Sequence, residues 1–355
     1  MTFQTVTAPD AGEHEGTVRR RPSRARGTLG VLAVVTVVAA TMPFVLPESQ
    51  QAVAIRVLIF ALMATGWNLM SGYGGMFSFG NAAYFGVGAY ADVVLLVGFD
   101  VSPWIAMLAG AALAAALAVG TGYVAFRYKV RGAYFALATF AIAEMLRLLA
   151  TDTTWVNGTI GYHVPLLQEE SWWKFQFEAN APEYFWIGLA LVVVAFLAVF
   201  FYLRSKAGRY AVAIRDDEDA AAALGIPVMR YKLTTMALAA AITAVAGAFY
   251  AQYYMFVDPD IVLGQAQSIQ AIVPAVVGGV GTLWGPVIGA VIVGPLSTVT
   301  ATLLREPPEA LSFLAGRGGL DVVLYAVLVI VIVLALPKGL YGTIRQLVID
   351  RWRSR

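Results

Sequence analysis

Long apolar runs recur along almost the whole chain, and they restrict what it can fold into more than any other feature. Ten such runs, separated by polar or glycine-rich stretches, lie near 28–46, 52–70, 79–98, 104–126, 133–150, 184–203, 233–254, 269–280, 284–304 and 321–336. A helix needs about 20 residues to cross about 30 Å of hydrocarbon. With 59% hydrophobic and 13% charged residues, the sequence predicts an all-α polytopic membrane protein with about ten transmembrane segments. The 12-residue run at 269–280 is short for a full crossing.

Basic residues indicate the orientation of these segments. Of the 24 Lys and Arg residues, 19 fall in four groups, at 19–26, 127–131, 204–232 and 338–355. Basic residues in short loops favour the cytosolic side. All four groups lie there only if the chain crosses ten times, so both termini are predicted to be cytosolic. The predicted parts are a disordered cytosolic tail at 1–27, a transmembrane domain at 28–342 with an extracytoplasmic loop at about 151–183 and a cytosolic loop at about 205–232, and a basic cytosolic tail at 343–355.

Several kinds of chemistry are missing from the sequence. The chain has no cysteine, which excludes disulfides and thiolate chemistry. None of its five lysines follows a glycine, so the Gly-Lys pair of a phosphate-binding loop is lacking. The basic residues sit at segment ends and give no sign of nucleic-acid binding. The sequence therefore predicts no enzyme, no catalytic residue, no metal site and no cofactor on this chain.

Two ionisable residues lie inside one predicted span. Glu144 and Arg147 are three residues apart, which places them on one face of a helix. Ionisable groups within a membrane are costly and often functional, so Glu144 is a candidate for a translocation pathway. Structural pairing near the outer interface is the alternative. Arg56 and Asp92 also lie within predicted spans, and each is expected to find a partner at a helix end or between helices.

Two glycine-rich stretches interrupt the apolar runs. The first, GYGGMFSFGNAAYFGVGAY at 72–90, has six glycines among 19 residues, and the second, GGVGTLWGPVIGA, begins at Gly278. Backbone that leaves the helix inside a membrane must be packed in protein or line a wet cavity. Each stretch is predicted to break a helix, either beside a passage for a polar solute or to let helices pack closely. In the second, the four-residue spacing of Gly281, Gly285 and Gly289 favours packing along one helix face.

The polar segment at 205–232, SKAGRYAVAIRDDEDAAAALGIPVMRYK, carries helix signals. Acidic residues at 216–219 favour the start of a helix, because negative charge is stabilised there. The run AAAAL at 220–224 favours helix, and Gly225 favours its end. A short cytosolic helix between two membrane helices suits contact with a soluble partner. A merely solvated loop is the alternative.

This segment resembles the coupling segment of bacterial ABC importer permeases, whose pattern is Glu-Ala-Ala, three residues, Gly. The chain has DAA at 219–221 and then Gly225, but it lacks the downstream Ile-x-Leu-Pro of the commonest form. From Arg56 to Gly342 the chain is similar to the branched-chain amino acid (LivM-type) permease family. Five motifs carry the resemblance in order, NLMSGYGGMFSFGNAAYFGVGAY from Asn68, RGAYFALATFAIAEMLRL from Arg131, GRYAVAIRDDEDAAAALGI from Gly208, VGGVGTLWGPVIGA from Val277 and PKGLYG from Pro337.

The resemblance implies a multi-pass permease subunit of an ABC importer in a bacterial inner membrane, translocating branched-chain amino acids. The implied partners are a second permease subunit of LivH type, two ABC ATPase subunits that hold ATP and Mg, an extracytoplasmic substrate-binding protein, and membrane lipid. The residues assigned to the ATPase contact are Arg215, Asp216, Asp219, Ala220, Ala221 and Gly225. The residues assigned to the translocation pathway are Asn68, Gly72, Ser78, Gly80, Asn81, Glu144, Gly278, Gly279, Gly281 and Thr282.

The resemblance leaves the solute open. The same family pattern extends to permeases for urea, short amides and other small organic solutes, and the binding protein largely selects among them. An ion-coupled secondary transporter is a further alternative, because broken helices near the membrane midplane occur there as well. The helix predicted in 205–232 would then have no ATPase to contact.

Overall fold

A computed structural model describes the chain at residues 23–165, 170–178, 181–305, 326–327, 330–331, 334 and 339–343. Outside these residues lie most of the predicted tails (1–22 of 1–27, and 344–355 of 343–355) and most of the predicted run at 321–336. Helix α1 (Ser23–Ala40) begins within the predicted tail 1–27 and belongs to a unit that ends at Thr41. All other described elements belong to a second unit.

The described residues of the second unit lie mostly in helices. They are α2 (Met42–Val45), α3 (Glu48–Trp67), α4 (Asn81–Phe99), α5 (Pro103–Arg127), α6 (Ala133–Asp152), α7 (Pro182–Arg204), α8 (Lys206–Asp216), α9 (Glu218–Ala223), α10 (Val228–Tyr254), α11 (Pro259–Val262), α12 (Gln265–Gly278) and α13 (Gly285–Arg305). A π-helical stretch, Asn68–Tyr73, continues α3, and two 3-10 turns, Thr154–Val156 and Gly158–Ile160, follow α6. Two short strands, β1 (Tyr162–His163) and β2 (Phe256–Val257), pair antiparallel. The predicted all-α class is confirmed.

Eight helical stretches of the described chain are long and apolar enough to cross a membrane. They are Arg26–Val45, Gln50–Tyr73, Asn81–Phe99, Pro103–Arg127, Ala133–Asp152, Pro182–Arg204, Val228–Tyr254 and Pro259–Gly278. A shorter apolar helix covers Gly285–Val299. The prediction of a 12-residue run at 269–280 was too short, because α11 and α12 together form a 20-residue stretch. The polar residues of α12's first turns hid this extension from a hydropathy pattern.

The polar connections gather at two ends of the helices. At the end where α4 finishes, Lys174 pairs with Asp100 at 2.6 Å and Ser102 donates to the Trp173 carbonyl at 2.6 Å. We call this the outer end, since it carries the described part of the loop predicted as extracytoplasmic. The end where α4 begins also holds α8 and α9, and we call it the inner end. The two polar loops predicted at about 151–183 and about 205–232 thus lie at opposite ends of the helices, and which end faces the cytosol stays a prediction.

Helix α10 packs against α3, α4 and α5 and forms the centre of the second unit. Glycines permit its close approach to α4. A Cβ atom on Gly247 would collide with the Phe85 carbonyl oxygen, and one on Gly88 would collide with the Ala244 carbonyl oxygen. Small residues let membrane helices approach in this way. The close-packing alternative for Gly88, within the first glycine-rich stretch, is therefore confirmed.

Between α4 and α10, Asp92 and Gln252 form a fully buried hydrogen bond in which the Gln252 amide donates to the carboxyl group. The expectation that Asp92 pairs between helices is confirmed. Polar pairs such as Asp92 and Gln252 hold membrane helices in register, because an unpaired polar group in hydrocarbon is costly. Arg56, for which a partner was also expected, forms no ion pair with any residue in the described part of the chain.

We expect Gly247→Ala to destabilise the protein by about 1–3 kcal/mol, because the new methyl group overpacks a backbone contact that cannot relax cheaply. Gly120→Ala is the matched control. Gly120 also lies within a membrane helix, but nothing lies within 4 Å of a Cβ atom placed there. Unfolding of both variants in mixed micelles measures the difference. Equal stability of the two variants would contradict the proposed close contact between α4 and α10.

Candidate functional site

The first helix break lies at the inner end, between α3 and α4. The helix continues through Tyr73, and irregular backbone then leads to Asn81, where α4 begins. Gly75 adopts a φ of 68°, in the left-handed region that glycine occupies without strain. The predicted break in the first glycine-rich stretch is confirmed.

The second helix break lies between α12 and α13. Gly279 and Gly281 have φ values of 125° and 71°, which end the helical path after Gly278. The prediction that Gly281 shares a helix face with Gly285 and Gly289 is wrong, because α13 begins only at Gly285. Positive φ at Gly281 interrupts the helical spacing on which that prediction depended. The other two glycines do serve packing, since Cβ atoms on Gly285 and Gly289 would collide with the carbonyl oxygens of Gly279 and Pro274.

Asn68 joins the two breaks. Its side-chain amide donates to the Thr282 carbonyl oxygen at 2.9 Å, and its Oδ1 accepts from the Gly281 N–H at 2.7 Å. Asn68 is only 2% exposed, so its side of both bonds is shielded from water, while Gly281 and Thr282 are partly exposed. Gly72 permits this approach, because a Cβ atom there would collide with the Asn68 side chain and with the backbone of Gly281. The structure thus brings four predicted pathway residues into one junction.

Thr282 closes the second break against the start of α13. Its hydroxyl donates to the Gly279 carbonyl oxygen at 2.7 Å and accepts from the Gly285 N–H at 3.1 Å. Gly279 and Thr282 were both predicted for the pathway. Their hydrogen bonds show that they hold the shape of the break.

Arg215 links α8 to the first break. Its Nη1 donates to the Gly72 carbonyl oxygen at 3.0 Å, and Asp216 accepts from its Nε and Nη2 at 2.9 and 2.6 Å. A Cβ atom on Gly75 would collide with the Arg215 side chain, so the arginine lies directly against the break. Arg215 was assigned to an ATPase contact, which stays a prediction. The structure adds that Arg215 reaches from the surface segment toward the junction formed by Asn68.

The segment between α7 and α10 contains two helices where the sequence predicted one. Ser205 caps α8 by accepting from the Gly208 N–H at 3.2 Å, and Asp217 caps α9 by accepting from the Ala220 N–H at 2.9 Å. Both are preferred N-cap residue types. The serine before KAGRYAVAIRD was the available signal for α8, and it was missed. Gly225, predicted to end α9, has a φ of 79° and does so.

Charged side chains hold α9 against the inner end. Glu218 pairs with Lys232 at 2.5 Å and with Arg131 at 3.3 Å, while Asp219 pairs with Arg131 at 3.3 Å. The Lys232 ammonium also lies 5.0 Å from the centre of the Phe126 ring. Of these residues only Asp219 was predicted as functional. The others were missed because their partners are distant in the sequence.

The predicted contact residues in and after α9 fall into a buried group and an exposed group. Ala221 is buried and faces the helix bundle, whereas Asp219, Ala220 and Gly225 are exposed. Leu224, which the sequence did not single out, is 82% exposed at the end of α9. The exposed side of α9 therefore carries Asp219, Ala220, Leu224 and Gly225.

Three further predicted pathway residues lie where α4 begins. The Trp67 indole donates to the Ser78 carbonyl oxygen at 2.8 Å, and the Ser78 hydroxyl accepts from the Gly80 N–H at 3.1 Å. Gly80 packs against the backbone of Thr139, since a Cβ atom there would collide with it. Asn81 is fully buried, and neither atom of its side-chain amide has a hydrogen-bond partner within the described residues.

The structure does not place Glu144 with the other predicted pathway residues. Glu144 lies in the outer half of α6, where its carboxylate pairs with Arg147 at 2.5 Å. Arg147 also pairs with Asp260 of α11 at 2.5 Å. The structural-pairing alternative is confirmed. The Glu144 side chain is one-third exposed, and its place in a translocation pathway stays a prediction.

These observations define a polytopic membrane protein in which a surface helix pair contacts two joined helix breaks. The family described as "Branched-chain amino acid transport system / permease component" matches residues 50–336. The chain belongs to this family of membrane permeases. No solved structure matched the chain.

Curated relatives agree with this family. The chain is 25% identical over 308 residues to LivM of Escherichia coli K12, covering 80% of this chain and 70% of LivM. It is 27% identical over 296 residues to LivH of the same organism, covering 80% and 91%. It is also 25% identical over 296 residues to BraD of Pseudomonas aeruginosa, with the same coverage as LivH. All three are named as permease proteins of a high-affinity branched-chain amino acid transport system.

Proposed function

We propose that this chain is a permease subunit of an ATP-driven importer of branched-chain amino acids in a bacterial inner membrane. Its partners are a second permease subunit, two ATPase subunits that bind ATP and Mg and carry out hydrolysis, and an extracytoplasmic binding protein. Membership of the permease family supports the assignment of this chain to an importer permease. The observation that carries the proposal is the contact of Arg215 with Gly72, because it connects an exposed surface helix pair to the helix breaks within the membrane.

In this mechanism the ATPases bind the exposed side of α9 and shift it when they close on ATP. The ion pairs of Glu218 and Asp219 make α9 move with the inner ends of α5, α6 and α10. Helix α8 transmits the shift through Arg215 to the junction of Asn68 and Gly281. When the two joined breaks move together, the end of the passage that is open changes. This is the alternating-access mechanism that transporters use.

Leu224→Asp is expected to weaken association with the ATPase subunits by about tenfold or more, because it places a charge where an apolar anchor would be desolvated. Ile160→Asp is the matched control. Ile160 is also a strongly exposed aliphatic residue, but it lies at the outer end. Co-purification of tagged variants with the ATPases measures both. Normal association of Leu224→Asp would remove α9 from the proposed ATPase contact.

The solute needs its own experiment, because about 25% identity to LivM and BraD leaves it open. The complex is reconstituted with its binding protein, and ATP hydrolysis is measured with leucine, isoleucine, valine, urea and acetamide. We expect stimulation by the three branched-chain amino acids alone. Stimulation by urea or acetamide instead would retain an ATP-driven permease and replace its solute.

A further inference from the structure

Helix α4 carries a single acidic residue, Asp92, at a position far from both of its ends. Asp92 lies seven residues before Phe99, which places it about 10 Å along the helix axis from the outer end. Its side chain is fully buried where α4 packs against α10. An ionised carboxylate in such surroundings is costly unless a counterion or several hydrogen-bond donors stabilise it. Asp92 therefore needs either such partners or a means of losing its charge.

Among the described residues, no basic side chain forms an ion pair with Asp92. Helices α5 and α10 make the largest contacts with α4. Their basic residues are Arg127, Arg230 and Lys232, and all lie among the five residues nearest the inner end of their helix. Gln252 is the one side chain of the described chain that acts on Asp92 electrostatically. An ionised Asp92 would therefore be buried with one amide donor and without a counterion.

The contact between Asp92 and Gln252 leaves two oxygen atoms without a partner. Gln252 Nε2 donates to Asp92 Oδ2. Asp92 Oδ1 and Gln252 Oε1 are both buried and have no hydrogen-bond partner within the described residues. An ionised carboxylate and an amide oxygen only accept hydrogen bonds, so neither satisfies the other. Two buried acceptors without a donor are costly, and one hydrogen between them would serve both.

One proton supplies that hydrogen. A protonated carboxyl group has one O–H donor and keeps an acceptor. With the proton on Asp92 Oδ1, the hydroxyl donates to Gln252 Oε1 while Oδ2 still accepts from Gln252 Nε2. The two planar groups then pair edge to edge through two hydrogen bonds, and the pair carries no charge. A metal cation fits less well, because Mg²⁺ and Ca²⁺ take about six or more oxygen ligands and this pair offers two.

We propose that Asp92 is a carboxylic acid in the folded protein, and that its proton, donated to Gln252, fastens α4 to α10 within the membrane. Carboxyl groups inside membrane helices often relay protons. This proton is retained instead, since both side chains are fully buried and each is the partner of the other. The inference goes beyond the proposed function and does not depend on it, because it needs neither the ATPases nor a particular solute.

Infrared spectroscopy of the full chain in lipid bilayers detects this proton directly, because the C=O stretch of a carboxylic acid is separate from the bands of a carboxylate. We expect the difference spectrum between the wild type and Asp92→Asn at neutral pH to contain one carboxylic acid band. Asp100→Asn is the matched control. Asp100 directly follows α4, and its exposed carboxylate pairs with Lys174, so this variant should lose carboxylate bands only. Loss of carboxylate bands alone in Asp92→Asn would overturn the proposal.

Thermal unfolding in detergent tests whether the proton fastens the two helices. Asp92→Asn keeps the hydrogen-bond pattern of the acid, because the new amide donates to Gln252 Oε1 and accepts from Gln252 Nε2. We expect its unfolding temperature to lie within about 2 °C of the wild type. Asp92→Leu leaves both polar groups of Gln252 without a partner and should lower the unfolding temperature by about 5 °C or more. Equal losses in both variants, or failure of Asp92→Asn to fold, would contradict the proposal.

A double variant tests the pairing of the two side chains. Asp92→Leu combined with Gln252→Met removes both partners together, so it should lose less stability than the sum of the two single variants. Additive losses would show that the side chains do not act as a pair.

Replacement of sodium and potassium by choline tests a metal cation as the alternative occupant. We expect the carboxylic acid band and the unfolding temperature to stay unchanged, because the site holds a proton. Loss of the acid band when sodium or potassium is restored would replace the proton by a metal ion and overturn the proposal.

Discussion

Arg215→Ala is expected to reduce solute uptake per ATP hydrolysed by about tenfold or more. The guanidinium makes a charge-assisted bond to the Gly72 carbonyl oxygen, and such a bond contributes about 1.5–3 kcal/mol. Its loss leaves α8 and α9 able to bind the ATPases, because Leu224 and the exposed part of α9 are unchanged. ATP hydrolysis should therefore continue while the movement no longer reaches the breaks. Parallel assays of hydrolysis and uptake in proteoliposomes measure this separation.

Two variants sharpen this test. Arg209→Ala removes another arginine of α8, whose Nη1 donates to the Arg204 carbonyl oxygen within the surface segment, and it should leave coupling unchanged. Arg215→Lys keeps the charge but cannot bond Gly72 and Asp216 together, so it should couple at an intermediate level. Normal uptake per ATP in Arg215→Ala would show that α8 does not act through the first break.

Asn68→Ala is expected to destabilise the protein by about 2–4 kcal/mol and to abolish uptake. The substitution removes both bonds between the breaks and leaves the Gly281 N–H and the Thr282 carbonyl without their partner. A buried polar group left unpaired costs about 1–3 kcal/mol, and because these two groups are partly buried we expect the lower half of that range from each. Thermal unfolding in detergent measures the stability, and leucine uptake measures the function.

Ser71→Ala is the matched control for Asn68. It lies three residues away in the same π-helical stretch, and its hydroxyl donates to the Met76 carbonyl oxygen within the first break. We expect a loss of stability below about 1.5 kcal/mol and nearly normal uptake. If Asn68→Ala is no less stable than Ser71→Ala, the amide does not hold the two breaks together.

The membrane-spanning helices were predictable from the sequence, because a helix that crosses a lipid bilayer must be both long enough and apolar. Nine of the ten apolar runs correspond to described apolar helices, and the tenth lies mostly outside the described residues. The run at 269–280 was underestimated, since Gln265, Gln267 and Ser268 lower its hydropathy. These side chains are tolerated because Ser268 accepts from the Ala82 N–H and Gln267 donates to the Ile261 carbonyl oxygen.

The site was predictable only where local chemistry decides the conformation. The glycines of both breaks and the end of α9 follow from backbone preferences of single residues. The junction did not follow, because Asn68 and Thr282 are more than 200 residues apart and only tertiary packing brings them together. The contact of Arg215 with Gly72 was missed for the same reason, and the assignment of Arg215 to an ATPase contact stays a prediction. Glu144 was grouped with the breaks on the basis of residue type, and the structure places it in the outer half of α6 with Arg147 and Asp260.

This chain is expected to move solute only as part of an ATP-driven complex. The most direct test of this expectation is leucine uptake by proteoliposomes that contain the chain, the second permease and the ATPases, with binding protein added on the extracytoplasmic side. We predict accumulation that requires ATP on the ATPase side and is unaffected by ionophores that collapse ion gradients. Accumulation by the chain alone, driven by an ion gradient and indifferent to ATP, would contradict the account.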